Sequence, residues 1–333
     1  MALRGYILKR IVVSLVVLWI IATLNFVIFQ VVAPIDPLAQ YISPDFSPTM
    51  AQALMREFGL DQPLTQRYLL YLRNIFTWNF GYSFNGKAPI GAEMAWRMSY
   101  SVLLLGTALV VTALVGIPVG ILAASRRGTK LDVAAIGTGL FTWGVPTFFI
   151  QLILLLVFAY YTHVWFGTAW FPIRGAYSTD LKDPGPLMFI ADYIWHLTLP
   201  VASLVLAGFG GWALNVRNLM LDALTQDFVV TARAKGLTDR AVLYRHAFRS
   251  TLPPIVTIIA MSIPGIFTGA MITEQIFTYP GIGHWYISSL NAGDYPVIQS
   301  ILFIYAFLMI IANLVADLLY GALDPRIRIG SRR

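Results

Sequence analysis

The sequence predicts an all-α integral membrane protein with about six transmembrane helices and both termini on the cytoplasmic side. Three observations carry this. Of 333 residues, 58% are hydrophobic and 12% are charged, whereas soluble domains carry about 25% charged residues; the apolar surplus exceeds what one soluble core can hide and is expected to face lipid. The apolar residues form long uncharged runs. The basic residues fall between those runs and mostly on one side.

Crossing a hydrocarbon layer of about 30 Å takes roughly 20 helical residues. The first run, Ile11–Val32, carries no charge. A cleaved signal segment is the alternative here, with Arg4, Lys9 and Arg10 ahead of it, but its core is longer than the 7–15 residues of such signals. It reads as a retained anchor. Further spans follow at Ser99–Ser125, Val133 to about Thr162, Tyr193–Val216, Leu252–Thr273 and Val297–Ala316. This divides the chain into a tail and first helix (1–33), an external segment (34–98) and a transmembrane body (99–333). The body holds five helices, a cytoplasmic loop at 222–250 and a cytoplasmic tail at 321–333.

With the N-terminus inside, sixteen of the 23 Lys and Arg lie in the N-terminal tail, the second–third loop, the fourth–fifth loop and the C-terminal tail. Short outer loops hold two, Arg174 and Lys182. Five more lie in 34–98, which is too long to obey the positive-inside rule. Within 34–98, Phe46–Phe58 reads as an amphipathic helix and Gly59–Pro63 as a turn. Trp78, Tyr82, Trp165, Trp170 and Trp285 read as an interfacial aromatic belt. Gly116, Gly120, Gly137, Gly139, Pro146, Gly208, Gly210, Gly211 and Gly265 fall inside the spans. Close helix packing and hinges for a gated pathway are both open readings of them.

Chemistry on this chain is largely excluded. Without cysteine there is no disulfide, thiolate site or cysteine nucleophile, and His163, His196, His246 and His284 lack metal-ligand spacing. The net charge of +7 does not sit on a soluble basic face, so no nucleic acid is expected. The one Gly-Lys pair, Gly86-Lys87, is followed by Ala88, so there is no phosphate-binding loop for ATP. No Asp, Glu, Lys or Arg falls within the spans, where such groups mark ion or proton pathways; Asn25, Asn215 and Asn313 are expected to hydrogen-bond between helices. A pathway without titratable groups takes its energy from a partner.

The cytoplasmic loop is where that partner is expected to act. Asp222–Lys235 reads as one helix, Gly236 as its left-handed stop, and Thr238 as the cap of a second helix, Asp239–Arg249. A basic loop resting on anionic headgroups is the alternative.

The run Thr231-Ala232-Arg233-Ala234-Lys235-Gly236-Leu237, then Tyr244-Arg245-His246-Ala247-Phe248-Arg249 and Leu252-Pro253, resembles the coupling loop of ABC-importer permeases. More narrowly, it is similar to the first permease subunit of the dipeptide/oligopeptide transport family. The superfamily motif opens Glu-Ala-Ala, has Gly four residues after the second Ala and ends Leu-Pro. Here Val230, Thr231, Ala232, Gly236 and Phe248-Arg249 hold those places, so the acidic residue and the proline are absent. Pro34-Ile35-Asp36-Pro37, Gly59–Pro63, Thr273–Gly283, Asp294-Tyr295-Pro296, Asn313–Tyr320 and Asp324–Arg328 extend the likeness over nearly the whole chain.

The resemblance implies a paralogous permease subunit, two ATPases that carry the ATP and magnesium, and an extracytoplasmic substrate-binding protein, in a cell membrane whose lipid surrounds the chain. It assigns Thr231, Ala232, Arg233, Ala234, Lys235, Gly236, Leu237, Arg245 and His246 to ATPase coupling. Glu274, Pro280, Gly281, Gly283 and Asp294 are expected to face the binding protein. No cofactor is expected on this chain, which is not itself an enzyme. Peptides are the expected cargo, with oligosaccharides, glutathione or nickel as alternatives. A secondary transporter and a membrane-embedded enzyme are the readings from other classes; the first predicts mid-membrane charges or two inverted repeats with broken helices, the second a convergent polar constellation within the spans.

Overall fold

Apolar runs of this length leave the backbone no partner but itself, and helix dominates the described residues. The computed structural model describes residues 3–32, 49, 52, 56, 62–85, 88–181, 185–267 and 270–323. All but three residues of the expected amphipathic helix at Phe46–Phe58, residues 59–61 of the expected turn and the tail beyond 323 lie outside them. Among the described residues, five helical stretches are long and apolar enough to cross a membrane: Leu8–Val32, Ile90–Ser125, Thr147–Phe166, Gly185–Leu224 and Tyr295–Val315. The fifth expected span, Leu252–Thr273, is a helix over Arg249–Phe267 followed by a short one over Met271–Ile276.

The third expected span is corrected. It is not continuous from Val133 to Thr162: α4 (Lys130–Gly144) stops at Val145, and α5 (Thr147–Leu155) begins after Pro146. Val145 is extended, the conformation a following proline favours, and Pro146 has no N–H to continue the ladder. Beyond α5 the chain runs through a π-helical turn, Leu156–Tyr160, into α6 (Tyr161–Phe166), which Gly167 ends at φ 73°.

By contacts the chain divides into two units, and the grouping differs from the linear division 1–33, 34–98 and 99–333. One unit comprises Met1–Ser101, Phe267–Met271 and Gly281–Arg333. In it α1 (Leu3–Val27) lies along α13 (Tyr295–Leu323), and α2 (Leu64–Phe76) and α12 (Ile282–Ala292) close the core. Leu18, Ala22, Ile75, Ile282, Val297 and Ile301 are buried there. Asn25 makes the expected interhelical bond, its Nδ2 donating to the Gln299 carbonyl at 2.9 Å. Asn215 and Asn313, by contrast, are exposed. Leu8, Val12, Leu15 and Trp19 stay exposed on α1, the lipid-facing side of a spanning helix. Trp285 leaves the expected belt: it is buried, with the Arg97 guanidinium 5.2 Å over its ring.

The other unit comprises Val102–Ile266 and Ile272–Pro280. It is built on α3 (Ile90–Ser125), whose first turns belong to the first unit, and α7 (Gly185–Leu224). Three glycines set how closely these helices approach. A Cβ on Gly210 of α7 would lie 2.0 Å from the Gly139 carbonyl oxygen on α4, and one on Gly120 of α3 would lie 2.6 Å from the Ala213 carbonyl oxygen on α7. At these positions close packing is the reading the structure supports.

Candidate functional site

The 222–250 segment begins with a break that the sequence did not signal. Asp222–Lys235 is not one helix, because α7 runs to Leu224 and α8 (Asp227–Ala234) starts afresh. The Thr225 hydroxyl donates to the Asp222 carbonyl at 2.8 Å, and Gln226 is extended at ψ 152°. The turn folds α8 back so that Val229 and Ala232 are buried against Val216, Met220 and Ala223 of α7 and Ile121 and Ala124 of α3. Apolar burial of about 1.5–3 kcal/mol per large side chain outweighs a few unbroken helical hydrogen bonds here.

Gly236 sits at φ 75° and ends α8, with its N–H donating to Arg233 O. A Cβ there would touch nothing within 4 Å, so glycine is required by the backbone and not by space. Thr238 caps the next turn, accepting from Ala241 N at 3.4 Å. That turn, α9 (Asp239–Ala241), leads into a π-helical stretch, Val242–Phe248. No stop occurs at Arg249: the chain continues as α10 (Arg249–Phe267). In a π-helix residues five apart share a face, so Val242 and Ala247 are buried together while Leu243 and Phe248 pack beside them. An α-helical reading pairs Leu243 with Ala247 instead.

Of the residues the resemblance assigned to coupling, Ala232 is buried, holding the segment to the body, whereas Thr231, Arg233, Ala234, Lys235, Gly236, Leu237 and Arg245 are exposed and His246 is partly so. Arg245 and His246 share an open groove of about 380 Å³ with Phe228, Arg249 and Ser250. Beside this segment the structure makes a pairing the sequence did not reveal. Arg217 Nε and Nη2 donate to the two Asp132 carboxylate oxygens at 2.7 and 2.8 Å, and Gly128 N donates to Oδ2 at 2.9 Å. The Arg217 bond above all, with the Gly128 N–H, holds the Asp132 carboxyl down at about 2. A bidentate, largely buried fork of this kind fixes α4 to α7. Its one sequence signal was an isolated Asp at one span's start and an isolated Arg at another span's end.

The five residues expected to face a binding protein are placed differently. Glu274 and Asp294 are buried within the chain, 0% and 1% exposed. Asp294 accepts from Ser83 Oγ at 2.6 Å, Phe84 N at 3.3 Å and Asn85 N at 3.4 Å, pinning the turn that follows Gly81. Glu274 lies on α11 (Met271–Ile276), and its carbonyl accepts Tyr279 N at 2.8 Å. Gly281 and Gly283 are buried and Pro280 is partly exposed; Gly281 is the extended cap of α12. Carboxylates inside a fold must be hydrogen-bonded, and Asp294 meets this by holding the 83–85 turn. An open groove of about 430 Å³ adjoins Asp294, with the Glu93–Arg97 pair at 2.6 Å and Trp285 in its wall. Burial foremost, with the Arg97 charge adding to it, lowers His284 from the ordinary imidazole value.

The binding-protein-dependent transport system inner membrane component family matches residues 116–329. The chain belongs to this family. The family's N-terminal membrane component matches residues 3–104. The oligopeptide transport system permease protein AppB of Bacillus subtilis is 34% identical over 326 residues, covering 98% of this chain and 99% of that protein. The dipeptide transport system permease protein DppB of Escherichia coli K12 is 35% identical over 298 residues, covering 85% and 86%. Among solved structures, the inward-facing MetNI methionine ABC transporter shares the fold, with a TM-score of 0.54 at 15% identity, over 71% of this chain and 98% of that one. The protein is thus a multi-pass inner-membrane permease of the ABC-importer type. The secondary-transporter reading is not favoured.

Proposed function

We propose that this chain is one of two paralogous permease subunits of an ATP-driven peptide importer, and that 222–250 is where two separate ATPases drive it. Peptide as cargo is supported by the relatives named for oligopeptide and dipeptide transport; no observation on this chain favours oligosaccharide or nickel. The termini and the 222–250 segment face the cytoplasm, as the distribution of Lys and Arg indicates. A binding protein delivers cargo on the opposite side, and the ATPases hold the ATP and magnesium.

The observation that carries this reading is the build of the segment. Its exposed turn at Gly236 lies between helices whose other faces are buried against α3 and α7, and its far end continues without interruption into α10. A displacement of the turn therefore moves the ends of three membrane helices together. Closure of the ATPases around ATP favours one arrangement of those ends by its differential affinity for it, and the passage turns outward.

The test is Gly236→Val. With open space around the position, the cost is backbone strain of about 1–2 kcal/mol for a residue forced left-handed, so the membrane body stays folded while the turn changes shape. The expected result is loss of the co-purifying ATPase subunits with the melting temperature lowered by only a few degrees. Gly236→Asn, which tolerates this conformation, is expected to retain them. A valine variant that binds the ATPases and transports as well as the parent contradicts the reading.

A further inference from the structure

The groove beside the Gly236 turn has a chemistry of its own. Its lining, Phe228 from α8 and Arg245, His246, Arg249 and Ser250 from the π-helical stretch and the start of α10, joins two guanidiniums and an imidazole with an aromatic edge. Arg245 and Arg249 are both exposed, and among the described residues neither has a carboxylate within salt-bridge distance. The segment's own acids lie outside the groove's lining: Asp222 is in the last turn of α7, Asp227 opens α8 and Asp239 opens α9. The position where the general motif has an acidic residue is Val230, 62% exposed and uncharged. Cations brought together without a counter-charge repel one another, and what relieves them is an anion from outside the chain.

The surroundings indicate the kind of anion. Phe228, Leu237 and Tyr244 are 41%, 40% and 51% exposed around the Gly236 turn; aromatic residues with Arg are the composition of protein-interface cores. The groove has room for a side chain or two and not for a helix. Arginine's planar fork pairs with carboxylate oxygens two at a time.

The geometry points to a docking site for Asp or Glu side chains of the ATPase subunit, seated between Arg245 and Arg249 with Phe228 as the apolar wall. This rests on the reading that the segment couples to an ATPase, and adds the polarity of the contact: cations on the permease, carboxylates on the motor. It predicts that assembly is salt-sensitive through these two residues.

The experiment uses the intact complex in nanodiscs of phosphatidylcholine. Arg245→Gln/Arg249→Gln is expected to weaken retention of the ATPase subunits tenfold or more at low salt and to flatten their salt dependence. Arg245→Lys keeps the charge, is expected to keep the ATPase, and supplies an amine that a carbodiimide joins to a neighbouring carboxylate; the expected product is an amide to an Asp or Glu of the ATPase, mapped by mass spectrometry. Undiminished retention in the glutamine variant, with no such amide, overturns the groove while leaving the coupling reading intact. An effect seen only in discs containing phosphatidylglycerol also overturns it and makes the groove a headgroup site. A native chain that holds no ATPase in either disc overturns both readings.

Discussion

Replacing Gly210 by alanine adds one methyl group where α7 meets α4. That Cβ would sit 2.0 Å from the Gly139 carbonyl oxygen, 2.3 Å from its carbon and 2.5 Å from its Cα. Non-bonded heavy atoms are most favourable at about 3.5–4.0 Å, so the helices must separate by more than about 1 Å. All three obstructing atoms are backbone, and no rotamer change relieves them. Overpacking of this kind costs about 1–3 kcal/mol and occasionally more; with rigid backbone on both sides Gly210→Ala belongs at the top of that range. At about 2–4 °C per kcal/mol, the tryptophan-fluorescence melt of the detergent-solubilised chain should fall by roughly 5–10 °C. Gly137→Ala is the control. It lies on the same α4, a Cβ there meets nothing within 4 Å, and alanine in a helix is better than glycine by up to about 1 kcal/mol. The two variants should therefore move in opposite directions. If Gly210→Ala melts with or above the parent, the close seam between α4 and α7 is wrong.

Arg217→Ala leaves Asp132 without its fork and should destabilise the chain by about 1–3 kcal/mol, read from the same melt. Because the Asp132 carboxyl is held down at about 2 and titrates near 3.9 when unfolded, the pair contributes fully above about pH 4 and its contribution is lost as pH falls through about 2; the parent–variant difference should be constant from pH 5 to 8. Asp294→Ala removes its three hydrogen bonds to residues 83–85, at about 1–3 kcal/mol. Hydrogen exchange should quicken locally at 83–85, with the α3–α7 seam unaffected.

The spans were legible because lipid imposes one rule on every residue of a long apolar run, and charge distribution supplied their order. Gly236 and Thr238 were legible for a related reason: a left-handed stop followed by a cap is local chemistry, written within three residues. What stayed hidden was set by tertiary packing. Nothing near Thr225 shows that α7 ends there, since Val229 and Ala232 draw the chain back only when α3 and α7 are already present. The five-residue spacing of Val242 and Ala247 needs the same surface. Pro146 was visible, yet the apolar run continues past it on both sides, and hydropathy alone does not register a break in hydrogen bonding. The Asp132–Arg217 fork joins residues 85 apart, and the burial of Asp294 depends on a turn more than 200 residues upstream, so neither followed from spacing.

The central claim is that this permease does no work alone and is driven through the 222–250 segment. The direct measurement is uptake of labelled di- and oligopeptides into proteoliposomes holding the complete complex with its binding protein outside and ATP inside. Uptake is predicted to require ATP and the ATPase subunits, and to vanish with Gly236→Val. Uptake by the permease subunits alone, without nucleotide, contradicts the account.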